Sequence, residues 1–123
     1  MENGRLAKSY GDGEVIVRQG EIGDRMFIIQ SGKVRMTRSQ NGKEVPLSEL
    51  KPGDLFGEMA IIDREVRPAT VSAIGKVQVL AIDRKSFLRR VEEDPSLAFP
   101  VIQRMSEKIR ELSAELTQLK TSS

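Results

Sequence analysis

The stretch Phe56-Gly57-Glu58-Met59-Ala60-Ile61-Ile62-Asp63-Arg64-Glu65-Val66-Arg67-Pro68-Ala69-Thr70-Val71 decides how this chain reads. A carboxylate, Glu58, and a guanidinium, Arg67, bracket a short turn of helical character that opens on a flexible glycine, inside an otherwise strand-like sequence. The amino end of a helical turn offers unpaired N–H groups and a positive dipole end, so with Arg67 nearby the turn suits an anionic phosphate. Glu58 is placed to accept hydrogen bonds from sugar hydroxyls. Sugar and phosphate side by side describe a nucleotide.

Working outward on the amino side, Glu14-Val15-Ile16-Val17-Arg18 reads as a strand, Gln19-Gly20-Glu21-Ile22-Gly23-Asp24 as turn chemistry, and Met26-Phe27-Ile28-Ile29-Gln30 as a second strand. Ser31-Gly32 is expected to close a hairpin into Lys33-Val34-Arg35-Met36-Thr37-Arg38, where apolar and polar residues alternate with the period of a half-buried strand. Asn41-Gly42 is a strong two-residue hairpin signal, and Pro46 in the returning segment marks an edge strand or a bulge. On the carboxyl side, Ala69–Ala73 and Val77–Ile82 read as two further strands. Short strands at this spacing imply a β-sandwich or barrel.

At Asp83 the period changes to helical. Asp83 is an N-cap for a helix ending at Asp94-Pro95, and a long helix is expected from Ser96 to about Lys120, with Pro100 bending it or delaying its regular start. Ile102, Met105, Ile109, Leu112, Leu116 and Leu119 recur at alternating steps of three and four, a short coiled-coil stripe. Its first half could pack on the chain's own strands, while Ile109 to Leu119 runs past a body of this size and suits a second copy of the chain. Both ends of the chain are expected to fray.

Composition narrows the chemistry. The chain has 123 residues, enough for one domain with one core, and no repeat or linker marks a second. It has no Cys and no His, which removes thiol chemistry, the commonest metal ligand and the commonest general base, so neither an enzyme nor a metal site is expected. Its 20 basic and 18 acidic residues are interleaved and its aromatics number only four Phe and one Tyr, which argues against a nucleic-acid surface. With neither a membrane-spanning run nor a signal peptide, the expected address is the cytoplasm.

The pattern Phe56-Gly57-Glu58-x-Ala60 followed by Arg67-x-Ala69-x-Val71 resembles the phosphate-binding cassette of the cyclic nucleotide-binding domain family, which includes catabolite activator protein-like receptors and the regulatory subunits of cAMP-dependent protein kinase. The resemblance runs from about Tyr10 to Leu119. It implies a mainly β jelly roll of about eight strands, over about residues 10–83, with a short cassette helix and two C-terminal helices, the last lying across the ligand.

Carried over residue by residue, the resemblance makes Glu58 the ribose ligand and Arg67 the partner of the cyclic phosphate. Read alone, Glu58 is better taken as an exposed carboxylate favoured by a helix dipole, and Arg67 as a solvated charge or a partner of Glu65 or Glu58. Gly57 lets the backbone approach the sugar, or is an ordinary turn glycine. Met36 and Leu47 lie on strands that line the family's purine pocket, or are simple core; Met59 and Ala69 complete a small apolar rim, and Ala60 stands at the motif's interval after Glu58. Pro68 departs from the family, which has a small residue here whose N–H helps bind phosphate and whose hydroxyl, when present, favours cGMP; proline supplies neither. The resemblance therefore implies a weakened or lost site and, if it works, cAMP favoured over cGMP.

Aligned at Asp94-Pro95, the activator members of the family place a threonine and a serine where this chain has Leu112 and Ser113. Ser113 could reach the purine amino group or point to solvent, and Arg110 is a second helix-borne candidate. The reading is a regulatory module for a cyclic nucleotide, most simply cAMP, with no cofactor, a homodimer through the last helix, no direct contact with nucleic acid or membrane, and an unknown downstream effector. It is either stand-alone or part of something larger. Its rival is an interaction module that keeps the roll and dimer helix but has lost its ligand.

Overall fold

The computed structural model describes residues 5–62 and 65–121, which divide into two compact units between Arg89 and Arg90. The expected fraying of residues 1–4 and 122–123 lies outside the described residues.

The first unit is an antiparallel β-roll whose eight strands among the described residues match the expected number. β1 (Arg5–Tyr10), β2 (Val15–Val17), β4 (Arg25–Gln40), β5 (Lys43–Leu50), β6 (Leu55–Phe56) and β8 (Thr70–Asp83) form one sheet, and β3 (Ile22–Gly23) with β7 (Glu65–Val66) a separate ribbon. Two long strands organise it: β4 pairs with β5, β6 and β8, while β8 also pairs with β1 and β2. Alternate residues of these strands, among them Phe27, Ile29, Val34, Val71, Val77 and Val79, meet in one buried cluster with Phe56. At roughly 1.5–3 kcal/mol for each large apolar side chain removed from water, this cluster dominates the stability of the roll.

The hairpin expected at Ser31-Gly32 does not form. β4 runs through it as a single strand, and the two segments expected after the cassette likewise join as β8. The register between them shifts at Ile29/Ser31 and again at Ser31/Lys33, so this is a kink in a paired ribbon. Gly32 makes it possible: its φ is +84°, and a Cβ there would collide with the carbonyl oxygen of Lys76 across the ribbon. β1 was not anticipated, since the strand-like reading began at Glu14. Nor were β3, inside a segment read as a turn, and β7.

Other local signals hold. Asn41 and Gly42 both have positive φ, 54° and 77°, between paired Gln40 and Lys43, as a two-residue primed turn requires. β5 is an edge strand and carries a bulge: Met36 faces Ser48 and Thr37 faces Pro46, leaving Leu47 unpaired between them. The cassette turn is α1 (Met59–Ile62), and α2 (Arg84–Glu93) starts where Asp83 Oδ1 accepts the Ser86 N–H at 2.8 Å.

In the second unit Asp94 caps a 3-10 turn (Pro95–Ala98) by accepting from Ser96 N and Oγ, and α3 (Phe99–Thr121) follows. The expected long helix therefore begins three residues late, with Pro100 in its first turn, where a missing N–H costs no helical bond. Val101 is its buried residue, Met105 and Lys108 are partly covered, and Ile102 is exposed. Of the stripe's first half, Met105 is therefore half-buried and Ile102 exposed. Ile109, Leu112, Leu116 and Leu119 are all exposed, by 54–68 %. No helix among the described residues is long and apolar enough to cross a membrane.

Candidate functional site

The site is built around the backbone of Arg67. The β3–β7 ribbon pairs Ile22 with Val66 and Gly23 with Glu65. Just past it, Arg67 N donates to Glu21 O at 2.7 Å and Arg67 O accepts from Gly20 N at 2.9 Å. With both backbone groups held, the side chain turns inward. It is 7 % exposed, so the reading of Arg67 as a solvated charge is set aside.

The guanidinium occupies a slot between two glycines. A Cβ on Gly23 would overlap its Cζ, Nε and Nη2, and one on Gly57 would come within 2.7 Å of Nη1. Gly57 has φ +75°, so it provides both the turn and the space. Nη2 donates to the carbonyl of Arg25 at 2.8 Å, Nη1 makes a long 3.5 Å contact with the carbonyl of Gly57, and Cζ stands 5.8 Å from the centre of the Phe27 ring. Phe27 is in turn stacked on Phe56 at 5.0 Å, so the residue that precedes Gly57 supports the platform beneath Arg67. Burial pushes the guanidinium below its usual pKa, while the negative charges of Asp24 and Glu58 pull it back up.

Glu58 is 1 % exposed, which overturns its plain reading as a surface carboxylate. Buried carboxylates are rare because desolvation is costly, and one beside a buried guanidinium marks a place with a purpose beyond packing. Ala60 N donates to Gly57 O and Ile61 N to Glu58 O, which closes the cassette turn. With only the four residues Met59–Ile62, α1 sums few peptide dipoles, so the charge for an anion comes from Arg67 more than from the helix end.

The remaining candidates fall into three places. Ala60 and Ala69 are buried and Met59 is half-buried around the turn, while Pro68 is exposed. Met36 packs partly buried against the core cluster and Leu47 sits, 43 % exposed, in the β5 bulge. Arg110 and Ser113 are exposed on α3, where Arg110 Nη1 donates to Ser106 Oγ at 2.9 Å and the Ser113 carbonyl accepts from Thr117 Oγ1. Asp63, Arg64 and the Glu65 side chain lie outside the described residues, so the Glu65 alternative for Arg67 does too. Among the described residues no group of three His, Cys, Asp or Glu could hold a metal ion.

Sequence reading missed Gly23, Phe27 and the carbonyl of Arg25. The segment Gly20-Glu21-Ile22-Gly23-Asp24 held the signal: two glycines with two residues between them, one the β-branched Ile22, read only as a turn.

A family model described as the cyclic nucleotide-binding domain matches residues 7–94. The chain belongs to this family. Within the cyclic nucleotide-binding domain family it is 34 % identical over 111 residues to the cyclic AMP receptor protein of Thermus thermophilus, covering 89 % of this chain and 51 % of the receptor. The crystal structure of Thermus thermophilus catabolite activator protein superimposes with a TM-score of 0.89 at 32 % identity, over 94 % of this chain and 55 % of that one. The regulatory domain of Toxoplasma gondii PKA, crystallised with cAMP, gives a TM-score of 0.70 at 34 % identity, over 88 % of this chain and 40 % of that one. The chain thus spans about half the length of the receptor it matches.

Proposed function

We propose that this cyclic nucleotide-binding domain is a regulatory module whose ligand is cAMP, preferred over cGMP, and that it carries neither catalytic nor DNA-binding activity. The observation that carries the reading is the burial of two opposite charges, Glu58 and Arg67, at one glycine-opened turn. Burying a guanidinium costs several kcal/mol, which the Arg25 and Gly57 carbonyls and the charges of Asp24 and Glu58 offset in part, and a phosphodiester is an anion suited to add to them. Support also comes from the relatives whose names state cyclic AMP or whose crystals hold cAMP.

In this reading Arg67 pairs with the cyclic phosphate, Glu58 accepts from the ribose hydroxyl, and Gly57, Met59, Ala60, Pro68 and Ala69 shape the turn. Met36 and Leu47 face the purine, and Ser113 and Arg110 come from α3. Ligand binding shifts the population between two arrangements of α3, the element that passes the signal on. The exposed Ile109–Leu119 stripe closes a homodimer, and the module works in the cytoplasm on an effector still to be identified.

Pro68 favours a second reading, a ligand-free interaction module, because it removes an amide donor next to Arg67. Calorimetric titration with cAMP, cGMP and cyclic dinucleotides separates the two. Saturable binding of cAMP, tighter than of cGMP, is the expected result; no heat with any of them establishes the second reading.

A further inference from the structure

The backbone after Arg67 is held by side chains rather than by the sheet. Pairing of β4 with β8 stops at Thr37 and Thr70, and two residues further would bring Ser39 opposite Pro68, which has no N–H to give. The primary amide of Gln19 takes over that exchange. Its Oε1 accepts from Ser39 N at 2.7 Å, its Nε2 donates to Ser39 O at 3.2 Å, and its own backbone N–H donates to Thr70 Oγ1 at 3.0 Å. Beside this staple, Arg38 Nε donates to the carbonyl of Pro68 at 3.1 Å. Arg38 is two residues beyond half-buried Met36, so by strand periodicity it continues the same face of β4 toward the turn. Arg38 as a residue is solvent-exposed, and Pro68 is its side-chain hydrogen-bond partner among the described residues.

We propose that Arg38 is a further affinity-determining residue of the nucleotide site. Its Nε fixes the Pro68 carbonyl, and with it the backbone that follows Arg67, while its exposed edge places a second positive charge at the same turn, in place of the amide that proline lacks. It acts first as a positioning residue, through Pro68. The ligand class it serves is the singly charged phosphodiester of a cyclic nucleotide, so the inference rests on the function proposed above. A planar five-donor group suits both tasks at once, since one edge holds the carbonyl and the other faces the anion.

The test compares wild type with Arg38→Gln, which keeps a neutral donor for the Pro68 carbonyl, and Arg38→Lys, which keeps the charge without the fork. Melting temperature and cAMP affinity are measured at several salt concentrations. Arg38→Gln should melt with wild type yet bind cAMP about ten- to a hundredfold more weakly, the worth of one charge-assisted bond. It should also lose part of the salt dependence that a second exposed charge confers. Arg38→Lys should fall between the two. In a Pro68→Ala background the effect of Arg38→Gln should shrink, because the restored N–H supplies the missing donor. An Arg38→Gln variant that binds as wild type, or one whose loss of affinity leaves the salt dependence unchanged, overturns the role of Arg38 alone. A wild-type chain that binds neither cAMP nor cGMP overturns the nucleotide reading and this role with it.

Discussion

The α-carbon of Gly23 and the guanidinium of Arg67 face each other so closely that a methyl group on Gly23 would stand where the guanidinium now lies. Gly23 does not have a positive φ, so alanine fits its backbone and the whole effect of Gly23→Ala falls on Arg67. Overpacking of this kind costs about 1–3 kcal/mol. We expect a folded protein whose cAMP affinity drops about tenfold or more. Calorimetry on the variant decides, and an undiminished affinity means that the glycine slot does not orient the cation.

Arg67→Gln removes the charge but leaves an amide that can reach the Arg25 or Gly57 carbonyl, so the roll should stay folded. Loss of a desolvated ion pair is worth on the order of 2–5 kcal/mol, and cAMP binding should fall below detection at micromolar protein. Retained affinity would remove Arg67 from the phosphate.

Pro68 is exposed, so its ring contributes little packing and Pro68→Ala should be tolerated. Both Pro68→Ala and Pro68→Ser restore a backbone N–H and should tighten cAMP binding, by about ten- to a hundredfold for a charge-assisted bond. Serine should raise cGMP affinity more than cAMP affinity. Should both variants bind more weakly, the proline ring itself is part of the required backbone shape.

Exposed Leu112 and Leu116 lie one helical turn apart on α3. Placing glutamate at both should yield monomers in sedimentation with the circular dichroism of the roll intact, if that stripe closes a dimer. Ligand and dimerisation should then also be coupled by one common factor in the wild type. A wild-type chain that sediments as a monomer at high concentration rules this assembly out.

The Ser86 N–H holds the Asp83 carboxyl below the usual aspartate range, with burial opposing it and the Ser86 hydroxyl, Arg25 and Arg89 adding to it. An acid whose pKa is lowered on folding stabilises the fold above its unfolded value of about 3.9, and that contribution is lost as pH falls through the lowered value. Asp83→Ala should cost about 0.5–2 kcal/mol near neutrality, as loss of a helix cap does. Asp83→Asn should keep most of the cap but lose its share of the acid-side decline in melting temperature. If the acid limb is the same in Asp83→Asn and wild type, the carboxylate is not the group that titrates.

Local chemistry was the readable part. Asn41-Gly42, Asp83 and Asp94-Pro95 act within a few residues of themselves, and each does in the fold what its type implies. Gly32 shows the limit: a glycine with positive φ serves a hairpin or a kinked strand equally well, and the choice was made by Lys76 and Val77 on β8. β1 has weak strand character of its own, and its place depends on pairing with residues 77–82. At the site, Gly57, Glu58 and Arg67 were legible because the cassette is contiguous. Gly23, Phe27 and Arg38 were not, since each meets Arg67 or Pro68 only once the chain has closed, and Gln19 reaches Ser39 and Thr70 only then.

The double pairing of β8 governs how this domain comes into being. β1, β2 and β4 all wait for a strand that lies at the far end of the roll in sequence. Such non-local closure predicts folding in milliseconds to seconds rather than microseconds. During synthesis at about 5–20 residues per second, β1 and the long edge of β4 stay uncovered for several seconds before Asp83 emerges. The strand edges that later frame a binding site are first a hazard, and the vulnerable period ends only when the last strand is made.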